Sequence, residues 1–306
     1  MRDVAGFSKA GHVAVDSPEA ADFLLAASCH NSFGLFFDNL KRSKLFSKYK
    51  DRVYAYSYDD NVFPALPGIY SAASPYYCSL GWATAAPYIS DTIFDFEFPQ
   101  VPMKDRDLLY SFLGTSATHP LRDTVLSLKH PDGHCADMSI NSVSIDERRK
   151  VYKAIMARTK FALCPRGVSP SSVRLFEVME AGCVPVILSD ELILPEGPNW
   201  DEIIVKIPES DVLQVPELLQ GYVEQAESRG LKSRQAWEQY FSPNALFDWS
   251  VNAITNLPVF NSPEKLASVR KIAEREAVMD PSNIRKRLGY MKSNLKKTMR
   301  SYLAPR

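Results

Sequence analysis

The chain of 306 residues lacks any excess of charge, since 36 Lys and Arg balance 36 Asp and Glu. That excludes a globally basic nucleic-acid binder. It also lacks an apolar run long enough for a membrane helix. Its first residues, MRDVAGFSKAGHVAVD, lack the apolar stretch of a signal peptide. Paired metal-ligand spacing is missing too. The five cysteines (Cys29, Cys78, Cys135, Cys164, Cys183) are odd in number and scattered. A reducing compartment is the simplest reading of that pattern. His130, His134, Cys135 and Asp137 fall close together but have no second ligand pair, so a plain surface loop is expected there. No internal repeat or low-complexity segment is evident. What remains is a globular composition, long enough for two domains of ordinary size.

The most informative stretch is 161–190, FALCPRGVSPSSVRLFEVMEAGCVPVILSD. Phe161 to Cys164 has the length of a buried strand, ended by Pro165 and Gly167. Ser169 to Ser172 supply helix-start hydroxyls with a proline. Val173, Phe176, Val178 and Met179 then recur at helical spacing, Gly182 closes the helix, and Val184 to Leu188 is a second strand. The crossover makes these strands parallel. A helix start favours a phosphate. Arg166 before it and Arg174 in its first turn could hold a diphosphate, and Glu177 one turn on could accept from ribose hydroxyls. Equally, Arg174 and Glu177 could form a surface ion pair while the serines only cap.

The string LCPRG…SPSSVRLFEVMEAGCVPVILSDELILP resembles the signature of the exostosin-like glycosyltransferases, glycosyltransferase family 47. That family includes heparan-backbone and plant cell-wall enzymes. SPEAADFLLAAS (17–28) and YSFLGTSATHPLRDTVL (110–126) resemble further family segments, so the likeness spans about residues 15–210. It implies an α/β fold of two facing Rossmann-like domains (GT-B), extended here by C-terminal helices. The expected division is 1–140 on the acceptor side, 141–260 holding the donor, and 261–306 as a basic helical extension. The implied activity is transfer of a sugar, with inversion, from a nucleotide-diphosphate sugar to a glycan or glycolipid acceptor. A UDP-sugar is favoured over a GDP-sugar. The donor-binding set is then Arg166, Gly167, Ser171, Ser172, Arg174, Glu177 and Arg122. No metal and no cofactor are expected, because the arginines and the helix start can neutralise the leaving diphosphate. The other reading is a catalytically silent carbohydrate- or nucleotide-binding protein of the same fold. Eukaryotic family members usually carry an N-terminal anchor. The start of this sequence instead suggests a cytoplasmic protein with a short first domain.

Elsewhere the patterning predicts strands at 23–27, 52–58, 107–113 and 203–207. Helices are expected to start at Ser17-Pro18-Glu19 and to cover 35–50, 146–160, 210–228, 231–241 and 244–254. Residues 64–90 read as a long loop with short strands, whose tyrosines and Trp82 either stack on sugars or pack down. Ligands of open α/β sheets sit beyond the carboxyl ends of strands. His30, the Asp59/Asp60 pair and His119 occupy such ends. The catalytic base is therefore sought among His119, Asp60 and His30, although His119 could instead cap the helix starting near Leu121. Residues 264–306 carry 12 Lys and Arg against four Asp and Glu. They read as two amphipathic helices broken at Asp280-Pro281. A packed terminal helix is expected there, with peripheral contact to the inner membrane face as the alternative.

Overall fold

The computed structural model describes residues 1–27, 40–60, 63–88, 97–139 and 144–279. It contains two sheets in which every pairing is parallel. The first sheet is built from β1 (Leu24–Ala27), β2 (Val53–Ser57), β3 (Gly68–Tyr70) and β4 (Ala83–Ala85), in that order. Its strands are short, and β2 and β3 are buried throughout. They approach so closely that a Cβ on Gly68, at φ +155°, would stand 2.1 Å from the Ala55 carbonyl oxygen. Only glycine fits there. Tyr70, Tyr77 and Trp82 pack down into this core rather than offering rings to a sugar.

The second sheet contains β5 (Leu108–Gly114), β6 (Gly133–Asp137), β7 (Thr159–Pro165), β8 (Val184–Leu188) and β9 (Val205–Lys206). Their order is β6-β5-β7-β8-β9. Side chains alternate along these strands, as a period of two requires. Phe161, Leu163, Val184, Val186 and Leu188 fill one core. Ala162, Cys164 and Ile187 face another, which runs on into Tyr54, Tyr56 and Ile69 of the first sheet. Both faces are thus covered, as a parallel sheet demands. Around it lie α1 (Leu121–Ser127), α2 (Ile145–Arg158), α3 (Arg174–Glu180) and α4 (Ala226–Ala236), and α5 (Leu246–Thr255) carries the chain back against β3 of the first sheet.

The following helix, α6 (Pro263–Met279), also lies against the first half. Leu266, Val269 and Ala273 are buried, so the apolar stripe of this helix faces protein rather than lipid. Arg270 pairs with Asp51, and Glu276 accepts from the hydroxyls of Tyr76 and Tyr77 at 2.8 and 2.5 Å. The second basic helix expected after Asp280 lies outside the described residues. Among the described residues, no helix is long and apolar enough to cross a membrane.

Several expectations need correction. Strand 107–113, expected in the first half, pairs with β7 and belongs to the second sheet. The expected loop at 129–145 contains strand β6, an edge strand of half-buried residues with no clean alternation. Ser17 to Glu19 forms a turn in which the Ser17 hydroxyl bonds to Glu19, not a helix start. In the 35–50 stretch, the helix Lys44–Tyr49 begins at a Ser43 cap; residues 35–39 lie outside the described set. The expected helix at 210–228 is broken into 3-10 turns and the short helix Val215–Gln220.

Candidate functional site

The strand order of the second sheet locates a crevice. From β5 the chain steps outward to β6, and from β7 it steps the other way to β8. The loops after β5 and β7 therefore part, and in open parallel sheets such a switch point is where ligands sit. The loop after β5 carries Thr118 and His119. The loop after β7 carries Arg166 to Ser172.

Arg122 laces these loops together. Its Nε donates to the Arg166 carbonyl at 2.9 Å, and its Nη1 and Nη2 donate to the carbonyls of Thr115 and Pro165, each at 3.3 Å. Burial, then the neighbouring Arg174 charge, pulls its pKa down to about 10. Expected as a donor-binding residue, Arg122 directs these N–H groups to backbone. Gly167 makes room for it, since a Cβ there would stand 3.2 Å from Arg122 Nη2. The Gly167 N–H is itself bonded to the Ser169 carbonyl at 3.1 Å.

Arg174 lies half-buried at the start of α3. Its Nη2 donates to the Leu113 carbonyl at the end of β5, and its guanidinium carbon sits 4.6 Å over the Phe112 ring. Tyr152 of α2 donates its hydroxyl to Glu177 Oε2 at 2.8 Å. Arg174 and Glu177 are thus built into the wall of the crevice rather than forming a solvated surface pair. Burial raises the Glu177 pKa, against Arg174 and the Tyr152 bond, which lower it. Burial also works against the Arg174 charge, but Tyr152 and Glu177 outweigh it and raise its pKa. Of the serines, Ser172 accepts from the Arg174 N–H at 3.4 Å, which realises the expected hydroxyl cap loosely. Ser171 is buried, with its carbonyl 3.3 Å from the Ser169 hydroxyl.

The first sheet reaches the same loop. Asp60, just past the end of β2, accepts at one oxygen from the Tyr88 hydroxyl (2.7 Å) and the Ser169 hydroxyl (3.0 Å). Asp59 beside it is buried. His119 Nδ1 accepts from the Leu121 N–H at 3.2 Å, so this ring caps α1. His30 lies outside the described residues. Among the described candidate bases, Asp60 is bonded to the loop after β7.

Among the described residues, eight buried side-chain polar atoms have no partner. Four of them, Thr118 Oγ1, Arg166 Nε, Arg174 Nε and Ser189 Oγ, belong to the loops and helix start at the carboxyl edge of the second sheet. Buried polar atoms are normally paired, so this concentration marks the carboxyl edge as a candidate ligand site.

Comparison with known proteins bears on the same segment. Residues 92–222 match the exostosin GT47 domain. The chain carries an exostosin domain. An exostosin-1 homolog of Caenorhabditis elegans is 41% identical over 70 residues, covering 22% of this chain and 18% of that protein. A rice protein named a probable glucuronosyltransferase, GUT1, is 40% identical over 79 residues, 25% of this chain and 19% of its own. An Arabidopsis thaliana protein named a probable beta-1,4-xylosyltransferase, IRX10, is 39% identical over 79 residues, with the same two shares. The chain thus spans less than a fifth of the length of these relatives.

Several site residues escaped the sequence reading. Ser189 sits in the quoted Ser-Asp tail and could have been found there. Tyr88, Thr118, Tyr152 and Glu209 gave no local signal. Among the described residues, no group of three or more His, Cys, Asp or Glu could hold a metal. His130 Nδ1 accepts from the Asp132 N–H, and Asp137 accepts from the Ser139 N–H. Two cavities of about 610 and 690 Å³, beside β1 and α5, lie away from the crevice.

Proposed function

We propose that this exostosin domain transfers a sugar from a nucleotide-diphosphate donor, a UDP-sugar, to a hydroxyl of a glycan or glycolipid acceptor, with inversion and without a metal. The observation that carries this reading is the crevice between β5 and β7, with its four unpartnered polar atoms. Arg166 and Arg174 each have a free Nε donor there, suited to phosphate oxygens. Glu177, steadied by Tyr152, takes the ribose hydroxyls. Ser171 and Ser172 line the approach to the diphosphate. The printed names of the rice and Arabidopsis relatives support glycosyl transfer as the chemistry. The residues of the first sheet face the acceptor, and those of the second hold the donor, as two facing domains.

The step balances as a single displacement. The acceptor hydroxyl oxygen forms a bond to the anomeric carbon from the face opposite the diphosphate, and its proton passes to the Asp60 carboxylate. The bond from the anomeric carbon to the diphosphate oxygen breaks, and its electron pair leaves with the diphosphate. The two arginines stabilise the charge that develops there. Asp60 lies against Ser169, which puts a carboxylate of the first half at the donor loop.

The test is to incubate the purified chain with UDP- and GDP-sugars, with and without saccharide acceptors, and to measure released nucleotide. Release from a UDP-sugar that persists in EDTA is expected. Nucleotide binding without release in any combination would instead mark a silent binding protein.

A further inference from the structure

The geometry points to Glu209 as a positioning residue that fixes Arg166 for diphosphate recognition, an inference that rests on the donor-site reading above. Arg166 follows β7, Asp190 follows β8 and Glu209 follows β9, so three adjacent strand ends deliver three side chains to one place. Two reciprocal bonds clip the last two loops together. The Asp190 N–H donates to Glu209 Oε1 at 3.1 Å, and the Glu209 N–H donates to Asp190 Oδ1 at 3.2 Å. The same Glu209 oxygen stands 3.5 Å from Arg166 Nη1. Glu209 is therefore itself held by backbone before it holds the arginine.

A second carboxylate, Glu191, also reaches Arg166 Nη1, at 3.3 Å. The two differ in how firmly they are seated. The Glu191 side chain is 67% exposed, whereas Glu209 is 21% and Arg166 18% exposed. Glu191 is free to swing away when an anion arrives, and Glu209 is not. The main chain of Arg166 is fixed from the other side, because its N–H donates to the Leu188 carbonyl and its carbonyl accepts from Arg122 Nε. With Nη1 tethered, Nε remains an unpaired donor. A guanidinium presents its N–H groups in a rigid plane, so anchoring one nitrogen sets the direction of the others. Glu209 thus converts a long flexible cation into a fixed phosphate-binding edge.

The test is a double-mutant cycle read by UDP affinity, with GDP in parallel, alongside thermal melting of each variant. Arg166→Ala should weaken binding. Glu209→Ala should weaken it about tenfold, and the double variant should be no weaker than Arg166→Ala alone, because one residue acts through the other. Glu209→Gln keeps an amide oxygen for both the Asp190 N–H and Arg166 Nη1, and should restore most of the affinity. Additive losses, or a folded Glu209→Ala protein with native affinity, would overturn the inference alone. If Glu209→Ala does not fold, failure of Glu209→Gln to bind UDP in a folded state would overturn it equally. Arg166→Ala with unchanged affinity for both nucleotides would overturn the donor-site reading and this inference with it.

Discussion

In the first sheet, the polar tips of Tyr56, Tyr70 and Trp82 all meet backbone carbonyls, at 2.9, 2.6 and 2.7 Å. At the carboxyl edge of the second sheet, Thr118, Arg166, Arg174 and Ser189 each leave a buried polar atom unpaired. The two sheets also wind differently. Strands β1 to β4 follow sequence order, so nowhere among them do adjacent loops part, while the second sheet switches direction between β5 and β7. Leaving a buried donor unmet costs about 1–3 kcal/mol. The first sheet satisfies such groups, and the second gathers unmet ones at its carboxyl edge, where the proposed donor site lies. The first sheet reaches the loop after β7 through Asp60 and Tyr88, past the ends of β2 and β4.

The largest expected effect tests whether the first sheet is more than scaffold. Asp60→Asn keeps an acceptor for Tyr88 and Ser169 but removes the base. Turnover should fall by about two to four orders of magnitude while UDP affinity survives. Near-native turnover in this variant would return the first sheet to a purely structural role. Next in size is Glu177→Ala in the second sheet. Loss of a charged hydrogen bond to the ribose should weaken UDP binding by about 1.5–3 kcal/mol. Equal affinity in a calorimetric titration of the folded variant would remove Glu177 from the donor site.

The same contrast governs what could be read from sequence. Strands β7 and β8 with α3 were legible because the second sheet is apolar over continuous runs, from Phe161 to Cys164 and from Val184 to Leu188, and because Gly182 marks a helix end at φ +65°. Arg166 follows β7, and Arg174 and Glu177 lie in α3, where the pattern of the motif put them. Strands β3 and β4 are three residues each, too short to show a period. Strand β6 is half-buried at an edge, and its GHCAD sequence reads as a loop. The roles of residues depended on distance in space that no local pattern carries. Asp60 meets Ser169 across 109 positions, and Arg166 meets Glu209 across 43. Nothing in sequence separates an arginine that clasps carbonyls, as Arg122 does, from one that awaits a ligand.

A paired comparison of the two sheets comes third. Tyr70→Phe leaves the Leu66 carbonyl unmet in a buried site. It should cost about 1–2 kcal/mol in chemical denaturation and leave UDP affinity unchanged. Ser189→Ala removes a hydroxyl that is already unpaired. It should leave stability unchanged or slightly higher and weaken UDP binding. If Ser189→Ala destabilises the fold as Tyr70→Phe does, unpaired atoms at the strand ends do not mark a ligand site.

The smallest effect concerns Glu180, at the end of α3, where scaffold and site meet. Its side chain is buried. Burial, opposed by Arg234 and aided by the charges of Glu177 and Glu97, with Lys153 opposing, pushes its pKa up to about 8. The folded protein therefore holds this proton more tightly than the unfolded chain, whose carboxyl titrates near 4.5. Stability must fall as pH rises from about 4.5 to about 8, because ionisation is easier once the chain unfolds. Glu180→Gln removes the ionisation and keeps the shape. At pH 3.5 the variant and the parent should melt together, since the parent carboxyl is then neutral in both the folded and the unfolded chain. At pH 8.5 the variant should melt higher, by about 2–4 °C if partial solvation and Arg234 limit the effect to roughly 1 kcal/mol. Parallel melting curves at both pH values would show that Glu180 is charged without cost, and that the end of α3 behaves as solvated surface.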